Sequence, residues 1–322
     1  MAQAHRADDI IDRRRLRRKL TFWRVAALLI AALAVVAAFS FAMRDRLGAA
    51  GDQIARVKIE GTITEDDELL GRLKRLGEAA HVKGVILSVD SPGGTTAGGE
   101  AIFEAVRKLA QKKPVVAQVG TLAASAGYMI ATAADHIVAR QSSIVGSIGV
   151  LVQFPDVTGL MEMVGVKLEG VKSSPLKAEP SPFSPTTEEE RAMLRSMVMD
   201  SYDWFVGLVE DRRPLTRAEV LAVADGSIFT GRQALQRKLV DSLGGEEKAV
   251  EWLASRGVDE KLDVIEWKPV REGSLLSPLA LAGAIGAATG LDRLGDGLAG
   301  RDRLFLDGLV SVWHPDAGSF GN

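Results

Sequence analysis

Between Gln53 and Ala139, short β-branched runs alternate with stretches of helical periodicity, and this alternation restricts the fold more than any other feature of the chain. Gln53–Glu60 alternates apolar and polar residues and reads as a first strand. Thr64–Ala80 places Leu69, Leu70, Leu73 and Leu76 at helical spacing behind an acidic start. Gly84–Asp90 is a buried strand, and Ala97–Gln111 returns to helical periodicity. A strand at 114–119, a small-residue helix over 126–134 and a strand near 136–139 complete the run. Repeated βα units of this kind predict an α/β fold, a parallel sheet with covering helices.

Downstream the pattern loosens. Ser147–Gln153 reads as a further strand weakened by Gly149, and a Pro/Ser/Lys-rich loop runs from Ser173 to Pro185. A loop that long in a compact domain signals function or disorder. Thr187 and three glutamates open a long helix to Arg213, and shorter helices follow at 216–224 and 231–238. Beyond Arg271 the chain becomes Gly/Ala-rich, with Leu304–Trp313 reading as a final strand or helix.

The first residues have a different character. Val25–Met43 is nineteen residues long with Ser40 its only polar member, near the length that crosses about 30 Å of hydrocarbon. Eight Lys/Arg against three Asp precede Val25, so the positive-inside rule puts the N-terminus in the cytoplasm and the rest across the membrane. A cleavable leader ending near Ala38-Phe39-Ser40 is the alternative, but its apolar stretch is longer than such leaders have. The expected organisation is a basic tail at 1–24, an anchor at 25–43, a globular domain at 44–272 and a Gly/Ala-rich segment at 273–322. That last segment is a candidate oligomer interface.

The chain has no cysteine, which excludes disulfides, thiol nucleophiles and Cys-ligated metals. Its four histidines are scattered, with no metal-binding spacing, so neither a metal nor a cofactor is expected. Net charge of −2 gives no argument for nucleic acid.

The chemistry concentrates in Thr121–Tyr128. Ser125 falls at a strand-to-helix junction, where unpaired helix N–H groups favour developing negative charge. A bare N-cap serine is the bland alternative. The adjacent Gly93 and Gly94, ending the preceding strand, leave backbone N–H groups unobstructed, as an oxyanion hole requires. One βα crossover separates them from Ser125, so both sit at the carboxyl ends of neighbouring strands, where α/β sites form. A base for Ser125 is less obvious. His136 starts the next strand, at the opposite edge of the sheet from Ser125. Lysine is the usual substitute, and Lys167, Lys172 and Lys177 are the candidates.

These residues carry a resemblance. Val89-Asp-Ser-Pro-Gly-Gly94, Ala123-Ala-Ser-Ala-Gly-Tyr128, Ala133-Ala-Asp135 and Gly146-Ser-Ile-Gly149 stand in order. Val171-Lys-Ser173, Asp225-Gly226, Phe229-Thr-Gly231 and Leu239–Gly245 continue the series. Over about residues 54–250 the chain resembles the signal peptide peptidases, membrane-anchored serine–lysine proteases of the Clp-protease/crotonase superfamily. The resemblance implies Ser125 as nucleophile, Lys177 as general base and Gly94 as oxyanion donor, with Gly93 and Ala126 beside it. A substrate strand is expected along Gly146, Ser147, Ile148 and Gly149. The family motif usually has glycine where this chain has Ala126, and the extra methyl is expected to narrow the S1 side. The resemblance further implies a ring-shaped homo-oligomer in a bacterial inner membrane, with its catalytic domain on the periplasmic side. Its substrates would be remnant signal peptides and other peptides, and Ser125 and Lys177 could meet within one protomer or between two.

Three rivals have specific weaknesses. A crotonase-type acyl-CoA enzyme fits the fold but not export. Ser174-Pro-Leu-Lys177 matches S-x-x-K of penicillin-binding proteins, but Pro175 opposes the helix that motif needs, and K-T-G and S-D-N are missing. A membrane-tethered scaffold would keep the fold without the reaction.

Overall fold

A computed structural model describes residues 51–269, positions 23, 29, 30 and 33, and the strand 310–312. The chain divides into two units, 1–52 and 53–322, and the architecture below is that of the second. Most of the expected anchor at 25–43 lies outside the described residues; Leu29, Ile30 and Leu33 are helical and exposed. Among the described residues no helix is long and apolar enough to cross a membrane.

Four parallel strands form the backbone of the sheet: β1 (Gln53–Ile63), β2 (Val82–Thr95), β3 (Val115–Ala124) and β4 (His136–Ala139). They alternate with α1 (Asp67–Glu78), α2 (Thr96–Ala110) and α3 (Ala126–Thr132), as the sequence periodicity predicts. β5 (Ile144–Gly146) takes over from β4 along the upper half of β3, pairing Leu122 with Ile144 and Ala124 with Gly146.

The long helix α5 (Glu188–Arg212) follows a short α4 (Thr158–Val164), and Thr187 caps α5 in a capping box with Glu190. Then come α6 (Arg217–Leu221), β6 (Ile228–Thr230), α7 (Gly231–Gln236), β7 (Ser242–Leu243), α8 (Glu246–Ser255), β8 (Val264–Glu266) and β9 (Val310–Val312). The sheet is mixed rather than wholly parallel, because β6 runs antiparallel to β5 and β9 antiparallel to β2.

Strand alternation sorts the core into two layers. Ala55, Val57, Leu87, Val89, Val115 and Ala117 face α1, α2, α3 and the C-terminal part of α5. Their neighbours Ile54, Ile86, Val116 and Val138 turn the other way, onto Ala249 and Leu253 of α8.

Two sequence expectations shift. β2 does not break at Ser91-Pro-Gly-Gly94 but runs on to Thr95, because β1 follows it, pairing Thr62 with Gly93 and Ile63 with Gly94. The strand expected at 147–153 stops at Gly146, since Gly146 (φ 113°) and Ser147 (φ 52°) turn the chain out of the sheet. The segment from 151 to 187 then carries exposed Leu160, Met163, Val166, Leu168, Val171 and Phe183, and packs little of itself into this unit.

Candidate active site

The site forms where β2 and β3 end together. Their last matched pair is Ser91 with Ala123, so Gly93–Gly94 and Ser125 lie at one level of the sheet. Asp90 and Ser91 hold this end in place. An Asp90 carboxylate oxygen accepts the Leu122 N–H across to β3 at 3.1 Å. The Ser91 hydroxyl, fully buried, donates to the Gly61 carbonyl at 2.6 Å and accepts the Gly93 N–H at 3.1 Å.

Gly94 is glycine for a steric reason. A Cβ there would come 1.8 Å from the Ile63 carbonyl oxygen, so β1 and β2 cannot close to this register around any side chain.

Ser125 occupies the turn between β3 and α3 with φ 57° and ψ −122°. A non-glycine residue in such a region stores on the order of 1–3 kcal/mol of strain, which surrounding contacts must hold. Those contacts are present: its N–H donates to the Gly146 carbonyl at 2.8 Å, and its carbonyl accepts the Met129 N–H at 2.9 Å. The hydroxyl makes no capping bond to α3, although the residue stands at the N-cap position. Ser125 is therefore not a capping serine. Its backbone is bent to place a nucleophile, the arrangement known from strand-to-helix nucleophile turns.

Ala126 is the first residue of α3, where helix N–H groups have no partner within the helix. Its methyl is fully buried and turned toward α2, since a Cβ on Gly99 would sit 3.1 Å from it. The expected narrowing of S1 by this methyl does not follow from that orientation.

The far end of α3 is fixed by two arginines that the sequence reading did not single out. Arg107 donates to the Ala133 carbonyl at 2.7 Å, and Arg212 to the Thr132 and Ala134 carbonyls at 3.0 and 2.9 Å. Cations on the last carbonyls of a helix complement its dipole. Tyr128 ties the same helix to the Leu239 carbonyl at 2.9 Å, and burial pushes its phenol up.

Beyond Ser125 lie Gly146–Gly149, the residues expected to receive a substrate strand. Gly146 bonds Ser125, the Ser147 N–H donates to the Ser227 carbonyl at 2.7 Å, and the Ile148 carbonyl accepts the Gly226 N–H at 3.2 Å. Residues 147 and 148 are thus tied to the turn at 226–227 instead of continuing a strand.

The lysines differ from this cluster in exposure. Lys177 is exposed, whereas Ser125 is 1% exposed. Lys172 is paired with Glu179, and Lys167 is exposed. His136 lies at the start of β4 opposite Val116, at the other end of β3 from Ser125. It stacks on Trp252 and bonds the Ser242 hydroxyl at 2.9 Å, as a rim histidine does. Among the described residues no group of acidic, His or Cys side chains forms a metal cluster.

A bent serine at a helix N-terminus, beside two backbone glycines at the ends of parallel strands, defines a serine hydrolase of the Clp-protease type. Comparison with known proteins agrees. Residues 107–259 match the model of peptidase family S49, and residues 52–145 that of Clp protease. A Synechocystis protein named as a protease is 38% identical over 220 residues, 66% of this chain and 79% of that protein. An Enterococcus faecium protein bearing the signal peptide peptidase name is 33% identical over 235 residues, 69% of this chain and 68% of its own. Protease 4 of Haemophilus influenzae is 35% identical over 245 residues, 71% of this chain but 39% of its own length. The chain belongs to peptidase family S49, the signal peptide peptidases, and is a serine protease.

Proposed function

We propose that this chain is a membrane-anchored endopeptidase in which Ser125 is acylated by peptide substrates and Lys177 of a neighbouring protomer is the base. The observation that carries the reading is the backbone of Ser125, strained and not used as a cap, at the level of Gly93–Gly94. Lys177 takes the Ser125 proton as the alkoxide oxygen bonds to the scissile carbonyl carbon. N–H groups of Gly94 and Ala126 receive the oxyanion. As the C–N bond breaks, Lys177 returns the proton to the leaving amine. Water then repeats the sequence on the acyl-enzyme and releases the carboxylate.

Assignment of Lys177 to a neighbour rests on two features. The lysine is exposed whereas Ser125 is buried, and its segment exposes Leu160, Met163, Val166, Leu168 and Val171. So many exposed apolar side chains in one segment favour burial against another copy. The apolar run at 25–43 supports an anchor, and the basic flank supports a catalytic domain outside the cytoplasm. Peptides left in the membrane after export, remnant signal peptides among them, suit an enzyme tethered there.

The test mixes two inactive variants. Ser125→Ala and Lys177→Ala, each without activity on casein or a signal-peptide substrate, should regain activity when co-assembled, while Lys172→Ala alone stays active. A mixture that stays dead beside an active wild type would place the dyad within one chain. A wild type that neither cuts nor takes a fluorophosphonate on Ser125 would remove the protease reading for this chain's own site.

A further inference from the structure

The segment that carries Lys177 also carries a carboxylate that a basic lysine has to avoid. Two turns fold residues 172–179 back on themselves. In them the Lys177 N–H donates to the Ser174 carbonyl at 3.2 Å, and the Glu179 N–H to the Leu176 carbonyl at 3.4 Å. Lys172 thereby comes onto one oxygen of Glu179, with Lys177 between the two in the chain. The Glu179 side chain is 6% exposed against 37% for Lys172, and its other oxygen, Oε2, is buried with no hydrogen-bond partner. Asp156, Glu162, Lys167 and Glu169, the remaining charged residues of 151–187, are exposed. Among the described residues Lys172 is the one charged group paired with Glu179.

Electrostatics makes this arrangement consequential. A general base must shed its proton, and a carboxylate close by holds a lysine in its charged form. Lys177 and Glu179 are two residues apart, so their Cα atoms are separated by no more than about 7 Å, within reach of two long side chains. Exclusion of water strengthens such a pair, as when Lys177 meets the buried Ser125 of a neighbouring protomer. An unpaired Glu179 would thus claim the base at the place where it must be neutral. Lys172 forestalls this, because a carboxylate already matched by one ammonium exerts little net pull on a second. Resting on the reading of Lys177 as the base, we propose that Lys172 is a positioning residue: it sequesters the Glu179 carboxylate and leaves Lys177 free to take the Ser125 proton. Lys172, a candidate base by its place in the sequence, then has the opposite task of staying charged.

The test is the pH profile of kcat/KM for the full chain in detergent micelles, on a signal-peptide substrate. Lys172→Ala should move the acid limb up by about one pH unit, the low end of what one adjacent charge does, and keep the wild-type rate on the alkaline plateau. Its loss is then roughly tenfold on the acid side and nil at high pH. Lys172→Arg keeps a cation on Glu179 and should follow the wild type. Lys172→Ala/Glu179→Gln, with neither charge, should bring the limb back to the wild-type position. Fluorophosphonate labelling of Ser125 should shift with pH in the same way.

A pair that only held the shape of the loop would lower the rate equally at every pH in Lys172→Ala, and the double variant would not repair it. That result overturns the proposal. So does an unmoved acid limb, and so does a Lys172→Ala that is dead at every pH, which would make Lys172 the base. Lys177→Ala that still cuts would remove the base assignment itself, and a wild type whose Ser125 takes no label would remove the protease reading.

Discussion

The backbone of Gly127 lies so close to Ser91 that a methyl at 127 would come 2.8 Å from the Ser91 carbonyl oxygen. This contact sets the distance between α3 and β2, and hence between Ser125 and the Gly93–Gly94 turn. Neither side can yield cheaply, since one is a helix backbone and the other a strand carbonyl. Gly127→Ala should therefore cost about 1–3 kcal/mol of stability, as overpacking does. The loss of activity should be larger than that figure implies, because the nucleophile moves as a unit with its helix. Urea unfolding set against the rate of Ser125 labelling separates the two effects, and a variant with unchanged labelling would refute the spacing argument.

Ser91 itself holds the glycine turn from the other side. Its hydroxyl bridges the Gly61 carbonyl and the Gly93 N–H in a fully buried place. Ser91→Ala leaves both backbone groups without this partner, at about 1–3 kcal/mol for a buried unsatisfied group. Because Gly93 adopts φ 109° only while held there, the turn should loosen and kcat should fall. Thr at 91 keeps the hydroxyl and should recover part of the rate. Steady-state kinetics on a peptide substrate reads both variants.

Much of this site was legible in the sequence because local chemistry decided it. The glycine pair, the small residues around Ser125 and the alternating βα units all point to one level of one sheet, and the structure puts them there. What the sequence does not carry is long-range. Arg107 and Arg212 read as ordinary surface arginines, since nothing in their neighbourhoods indicates that both reach the carbonyls of α3. β9 was open between strand and helix, because a three-residue strand gains its identity only from the edge it joins. The proposed base is hard to read for the same reason, as Lys177 sits exposed on a segment that packs little of itself into this unit.

The arginine clamp gives a third prediction. Arg212 donates to two carbonyls and Arg107 to the one between them, so the pair closes the end of a helix of only seven residues. Hydrogen bonds from a charged donor contribute about 1.5–3 kcal/mol each, so Arg212→Ala should lose on the order of 2 kcal/mol in urea unfolding. Arg212→Lys should recover little, because an ammonium cannot span the two carbonyls as a guanidinium fork does. The double variant with Arg107→Ala should lose more than the sum of the single losses, since both support one element. Additive losses would mean that the two arginines act independently.

Stability should fall in acid in two stages, through the network beneath β4. Burial lowers the pKa of His136 below its usual 6.5, against an opposing pull from Asp241 and with Arg213 and Lys248 reinforcing it. A depressed histidine is neutral in the folded protein but takes a proton once unfolded, so stability is full above 6.5 and declines as pH drops below it. Asp241 behaves as a paired carboxylate. Burial alone would raise its pKa, but the Arg213 fork at 2.8 and 3.0 Å and the Ile137 N–H at 2.7 Å outweigh that and hold it below 3.8. Its contribution is complete above 3.8 and disappears as pH falls through the lower native value. His136→Phe, which keeps a ring against Trp252, should flatten the first stage and leave the second. Asp241→Asn should lose on the order of 3 kcal/mol already at neutral pH, because Arg213 is then buried without its counter-charge, and should flatten the second stage instead. Chemical unfolding from pH 8 to pH 3 reads both, and a decline that begins only below pH 4 in the wild type would remove His136 from the account.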